Sequence, residues 1–179
     1  MDPQSDLVTI TVGGNDAGFA TVVGDCLIAT EPCSRLDAQV EASLGRLGPV
    51  LAAVYGRVKA RAPNARLVVV GYPQVVADPS KVDLDACPAV ATPLPGRRIT
   101  TDDARWLREK GDRLSEVIRA ATKATGGSYV DVAADFAGHE ACAADPWLTG
   151  VVLADLKASF HPTVAGQAEL ARLVTRALA

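Results

Sequence analysis

Residues 66 to 71 read Arg-Leu-Val-Val-Val-Gly, and this short run constrains the fold more than any other stretch of the chain. A strand with one wet face alternates apolar and polar residues, whereas four apolar residues in succession, mostly β-branched, need cover on both faces. Strands of that kind belong to parallel sheets with helices above and below. The sequence around it supplies both. Val8, Ile10 and Val12 alternate with Thr9 and Thr11 before Gly13-Gly14, predicting a strand over 6–12, and Tyr129-Val-Asp-Val132 predicts another. Leu36, Val40, Leu44 and Leu47 continue into Leu51, Val54, Tyr55 and Val58 at helical spacing, interrupted by Gly48-Pro49, which predicts one long kinked helix or two consecutive ones. Thr100 followed by Asp103 predicts a helix start, with Leu107, Leu114, Val117, Ile118 and Ala121 as the apolar face and Gly126-Gly127 as the stop. A last helix runs from Pro162, with Leu170, Leu173, Val174, Ala177 and Leu178 on one side. Strand and helix in alternation predict one α/β domain over residues 1–179, on a parallel sheet with right-handed crossovers.

Composition narrows function by exclusion. The 179 residues are 49% hydrophobic and 22% charged, as in an ordinary globular domain. A net charge of −3 with no basic stripe argues against a nucleic-acid partner. No apolar run reaches the length of a membrane span, and the opening Met-Asp-Pro-Gln-Ser lacks the basic and apolar regions of a signal peptide. Cys26, Cys33, Cys87 and Cys142 are an even number in loop-like contexts without a C-x-x-C pair, which suits two disulfides or four inert thiols, and connectivity does not follow from their spacing.

Ligands in open α/β sheets collect beyond the carboxyl ends of the strands, so residues just after each strand carry the most information about chemistry. Asn15, in Gly13-Gly14-Asn15-Asp16, is one of them. Its NH2 group is suited to donate to an oxyanion in acyl transfer, although the same four residues also suit a plain turn. His161, in Ser159-Phe160-His161-Pro162 at the start of the last helix, is a candidate general base outside the packed stripe. The second histidine, His139, has no partner at metal-ligand spacing, so neither a catalytic metal nor a cofactor is expected. The irregular stretches 73–99 and 133–150, with Trp147 and Leu148, are candidate walls of a substrate pocket.

Taken together, "DLVTITVGGNDAGF" and "SFHPTVAGQAEL" resemble the SGNH (GDSL) family of esterases and lipases, in particular its secreted actinobacterial branch, and "DPWLTG" and the cysteine placement extend the likeness over the whole chain. The resemblance implies a three-layer α/β/α, flavodoxin-like fold and a serine-type carboxylic ester hydrolase acting on a small ester or lipid. It implies Asn15 as oxyanion donor, His161 as base, and Gly13, Gly14 and Asp16 as the loop that shapes the Asn15 site. It also implies secretion, and the pairing of Cys26 with Cys33 and Cys87 with Cys142.

The match departs from the family in two places. No Gly-Asp-Ser block with the nucleophile occurs, and none of the seven serines lies in a small-residue elbow, so no nucleophile is assigned. The chain opens where the family enters its third conserved block, which implies that the first two strands of the usual sheet are missing. Residues 6–12 are then expected to form an open sheet edge, completed by a missing N-terminal segment or by a homo-oligomer. The family also commonly places Asp three residues before the histidine, where this chain has Ala158, and Asp155 is offset. The main-chain carbonyl of Ala158 is therefore expected to orient the ring of His161. The alternative function is a non-catalytic fragment or pseudoenzyme of this fold that only binds.

Overall fold

The computed structural model describes residues 2–87, 90, 99–152 and 158–179. The strands β1 (Leu7–Ile10), β2 (Arg66–Val70) and β3 (Ser128–Val130) pair in parallel in the order β1-β2-β3. Around them lie α1 (Phe19–Ile28), a 3-10 turn (Cys33–Leu36), α2 (Asp37–Arg61), α3 (Thr101–Ala124) and α4 (Val164–Leu178).

Strand register explains the layers. Val8 lies opposite Leu67 and Ile10 opposite Val69, and Val69 in turn opposite Tyr129. This side of the sheet packs on Leu47, Leu51 and Tyr55 of α2 and Leu107, Leu114 and Ile118 of α3. Residues of the other parity, Val68, Val70 and Val130, pack with Val132, Phe136, Leu148 and Leu173, the last from α4. Both faces of β2 are thereby covered, and Val68 and Val69 are fully buried, each contributing roughly 1.5–3 kcal/mol of transfer free energy. The result is a three-layer α/β/α arrangement, as the apolar run in β2 requires.

Two elements differ from the sequence reading. The helix expected to kink or divide at Gly48-Pro49 is a single element, Asp37–Arg61, with Pro49 inside it. Proline deprives the Gly45 carbonyl of its intrahelical donor, but both residues are exposed and water can solvate the freed oxygen. Helix α1 was not expected, and it has no side-chain cap, starting instead from Gly18 in the left-handed region at φ 71°.

The cysteines pair as the resemblance implies. Cys26 and Cys33, with Cα atoms 5.1 Å apart, join the end of α1 to the 3-10 turn, and Cys87 and Cys142, 5.3 Å apart, join the loops that follow β2 and β3. Closing the 55-residue separation of the second pair restricts the unfolded chain by about 4 kcal/mol in the chain-entropy description. Among the described residues no helix is long and apolar enough to cross a membrane.

Candidate active site

The chain leaves β1 into a compact turn closed by its own backbone. The Ala17 N–H donates to the Gly13 carbonyl (2.9 Å), the Gly18 N–H to Asn15 (2.9 Å) and the Phe19 N–H to Gly14 (3.0 Å). Gly13 has φ 117°, a conformation that demands glycine, and a Cβ there would also press on the Leu51 side chain at 3.3 Å. Gly14 lies against Tyr72: a Cβ on it would come within 3.1 Å of the phenol ring, and its N–H donates to the Tyr72 hydroxyl at 3.2 Å. Burial pushes the Tyr72 phenol above its ordinary pKa, with the Gly14 N–H opposing and Asp16 adding to the rise. The two glycines are buried while Asn15 and Asp16 are exposed. The Asn15 carboxamide makes no hydrogen bond among the described residues and keeps its donors for something else.

His161 is placed by its neighbours on both sides. Phe160 sits at φ 59°, a left-handed conformation that costs a bulky residue on the order of 1 kcal/mol, and its side chain packs against the α2/α3 core. That anchor turns His161 outward, where it is exposed. Its ring Nδ1 lies 3.1 Å from the Ser159 carbonyl. A carbonyl only accepts, so this contact assigns the proton to Nδ1 and leaves the Nε2 lone pair free to take one. The expectation that the Ala158 carbonyl orients the ring is corrected here. That oxygen accepts instead from the Thr149 hydroxyl (2.8 Å) and from the His161 main-chain N–H (3.4 Å). The ring meets instead the Ser159 carbonyl, one residue further along. Asp155 lies outside the described residues.

Beyond His161, Pro162 bridges to Leu148, the Thr163 N–H donates to the Trp147 carbonyl (2.8 Å), and Thr163 Oγ1 caps α4 by accepting from Gly166 (3.2 Å). Trp147 and Leu148 are therefore packing residues. Leu148 is buried, and the Trp147 ring meets Phe136 edge-on and stacks on His139 at 3.6 Å.

Topology places both candidate groups toward the carboxyl ends of the strands. Arg66, the first residue of β2, donates to the carbonyls of Ala177 and Leu178, so α4 ends beside the amino ends of the strands. Its start, with His161, lies toward the opposite ends, where β1 delivers Asn15. A cavity of about 230 Å³ opens near these ends between the loops after β2 and β3, beside the Arg108–Glu140 ion pair. Neither Asn15 nor His161 lines it, and it is a separate feature from the pair. Ser159, two residues before His161, has its hydroxyl accepting from the Val152 N–H at 3.0 Å.

The family model described as GDSL-like Lipase/Acylhydrolase matches residues 1–169, a stretch that includes every residue discussed so far except the end of α4. The chain belongs to the GDSL-like lipase/acylhydrolase family. Among similar proteins, Lipase 1 of Streptomyces coelicolor is 35% identical over 169 residues, and a lipase of Streptomyces rimosus is 34% identical over 171. These alignments take in 93% and 94% of this chain but 58% and 59% of those relatives, so this GDSL-family chain spans about three-fifths of their length. The crystal structure of an extracellular lipase from Streptomyces rimosus superposes with a TM-score of 0.82 at 31% identity, covering 98% of this chain and 70% of that one. A phospholipase A1 from Streptomyces albidoflavus superposes at 0.83 and 34% identity, with the same coverage of both chains. Likeness of this order over nearly the whole chain makes the α/β architecture the family's own.

The sequence reading singled out Asn15 by its position after a strand and His161 by its position at the entry to the last helix. It missed Tyr72, Ser159 and Thr149. Tyr72 stands 58 residues from Gly14, and nothing in the local pattern around Tyr72-Pro73 announces that contact.

Proposed function

We propose that this GDSL-family domain carries the oxyanion donor and the general base of a serine-type carboxylic ester hydrolase. The observation that supports this best is the pairing of an exposed, uncommitted Asn15 carboxamide with a His161 ring whose Nε2 is left free, both toward the carboxyl ends of the strands in a chain of this family. In the proposed reaction a serine hydroxyl attacks the acyl carbon and passes its proton to His161 Nε2. The charge that develops on the carbonyl oxygen is met by the Asn15 NH2 group. His161 then returns the proton to the departing alcohol, and water repeats the sequence to release the acid. The serine comes from outside residues 1–179, since no serine of this chain stands in a Gly-Asp-Ser block. Relatives named lipase and phospholipase A1 favour an acyl ester of a small alcohol or a lipid as substrate. Two disulfides and an extracellular relative favour an exported protein.

Turnover of p-nitrophenyl acetate by the chain supplied with a Gly-Asp-Ser-bearing segment, and labelling of the chain alone by a fluorophosphonate probe, test the proposal. Loss of a single oxyanion donor typically costs about a hundredfold or more in rate, so Asn15→Ala and His161→Ala are each expected to reduce kcat by at least that factor. A labelled serine on this chain would overturn the external nucleophile. The absence of that block favours a second reading, a domain of the same fold that binds esters without cleaving them. Ester binding without turnover or labelling, even when a Gly-Asp-Ser-bearing segment is supplied, would select it.

A further inference from the structure

The turn that presents Asn15 begins with two glycines, the most flexible pair the backbone can offer, yet an oxyanion donor is useful only if it is held in place before the reaction. The Asn15 side chain contributes nothing to that restraint, because its carboxamide has no partner among the described residues. The turn's own backbone bonds supply part of the restraint, and one further tie comes from outside it. Tyr72, two residues past the end of β2, is packed against the α2/α3 core and accepts the Gly14 N–H at its hydroxyl. On its other side Gly14 accepts the Phe19 N–H through its carbonyl, so both polar groups of the residue before Asn15 are engaged. The missing side chain of Gly14 is what lets the phenol ring approach this closely. With its N–H spent on Tyr72, Gly14 cannot serve as an oxyanion donor itself, which leaves that task to the carboxamide.

We propose that Tyr72 is a positioning residue for the oxyanion donor: it fixes Gly14 from the end of β2 and through it sets where the Asn15 carboxamide stands. This deepens the hydrolase reading and rests on it, but its structural half can be tested without turnover. Tyr72 touches no reacting atom in this scheme. Tyr72→Phe retains the ring against Gly14 and removes only the acceptor.

The experiment compares the full chain with its Tyr72→Phe variant by amide NMR, with far-UV circular dichroism as the check on folding. The expected result is that the Gly14 amide exchanges with solvent roughly tenfold faster, the factor that losing one hydrogen bond of about 1.4 kcal/mol allows. The Asn15 backbone amide resonance is expected to shift as well, because the main chain that carries the carboxamide loses its tie to Tyr72. Where turnover is measured, kcat falls about tenfold with KM within about twofold, and Asn15→Ala/Tyr72→Phe is no slower than Asn15→Ala alone, since Tyr72 acts through Asn15. Gly14→Ala approaches the same contact from the other side by pushing on the ring, and is expected to disturb the same Asn15 resonance if the phenylalanine variant does not fold. Unchanged Gly14 and Asn15 signals in a folded Tyr72→Phe variant overturn the proposal. Wild-type turnover in both Asn15→Ala and His161→Ala overturns the hydrolase reading instead, and leaves the NMR comparison to decide the role of Tyr72.

Discussion

Thr149 governs His161 through the main chain. Its hydroxyl lies 2.8 Å from the Ala158 carbonyl and 3.2 Å from the His161 carbonyl, and it accepts the His161 N–H at 3.1 Å. One hydroxyl proton cannot serve both carbonyls fully, so the group clasps the loop as a shared centre. Thr149→Val keeps the shape and removes the clasp. It is expected to cost about 1–2 kcal/mol in a urea melt and to lower turnover, while Thr149→Ser restores both. Equal turnover in the valine and serine variants would show that the loop is held without this hydroxyl. The same contacts explain why the candidate base is legible in the sequence while the group that orients its ring is not. A histidine is visible by type, whereas the choice between the Ala158 and Ser159 carbonyls turns on backbone dihedrals, including the left-handed Phe160, that no side-chain pattern encodes.

At the scale of elements, the start of α3 ties three parts of the molecule together. Thr100 accepts the Asp103 N–H, the Asp103 carboxylate accepts the Thr100 N–H, and its other oxygen accepts the buried Cys33 N–H at 2.7 Å. Further along the same helix, Lys110 meets Asp37 at 2.7 Å and Glu41 at 2.8 Å on α2. Burial works against its charge, but Asp37, Glu41 and Glu109 outweigh that and hold its pKa above the ordinary lysine value. Thr100→Ala is expected to cost about 1 kcal/mol, the usual worth of a cap. Asp103→Ala, which also leaves the Cys33 N–H unpaired in the interior, should cost about 2–3 kcal/mol in the same melts. Equal losses would mean that the bond to Cys33 adds nothing. The capping box was readable from Thr100 and Asp103, and the three strands and α4 from their periods. Helix α1 was not: Phe-Ala-Thr-Val-Val-Gly-Asp-Cys-Leu-Ile has an apolar, β-branched composition, a glycine inside and no capping side chain. Its disulfide and tertiary packing override those local preferences.

Across the whole molecule, the layers cover the strands unequally. Helix α4 packs against β2 and β3, and on its side of β1 Leu7 and Thr9 remain exposed, Leu7 at 41%. Among the described residues the outer backbone of β1 has no partner strand either. The Arg66 N–H donates to the Asp6 carbonyl, and in a parallel ladder the residues facing a neighbour alternate, so the N–H and C=O groups of Leu7 and Thr9 face away from β2. An open edge beside an uncovered apolar side chain is a template for another strand. We therefore expect this edge to be completed by a second copy of the chain or by a complementary segment bearing the nucleophile. Light scattering should give a mass above the 18.6 kDa of one chain, rising with concentration, and Leu7→Lys or Thr9→Pro should return it toward a single chain by charging the edge or removing an outward donor. A mass of 18.6 kDa at every concentration, with no second polypeptide bound, would show that β1 is stable as a free edge.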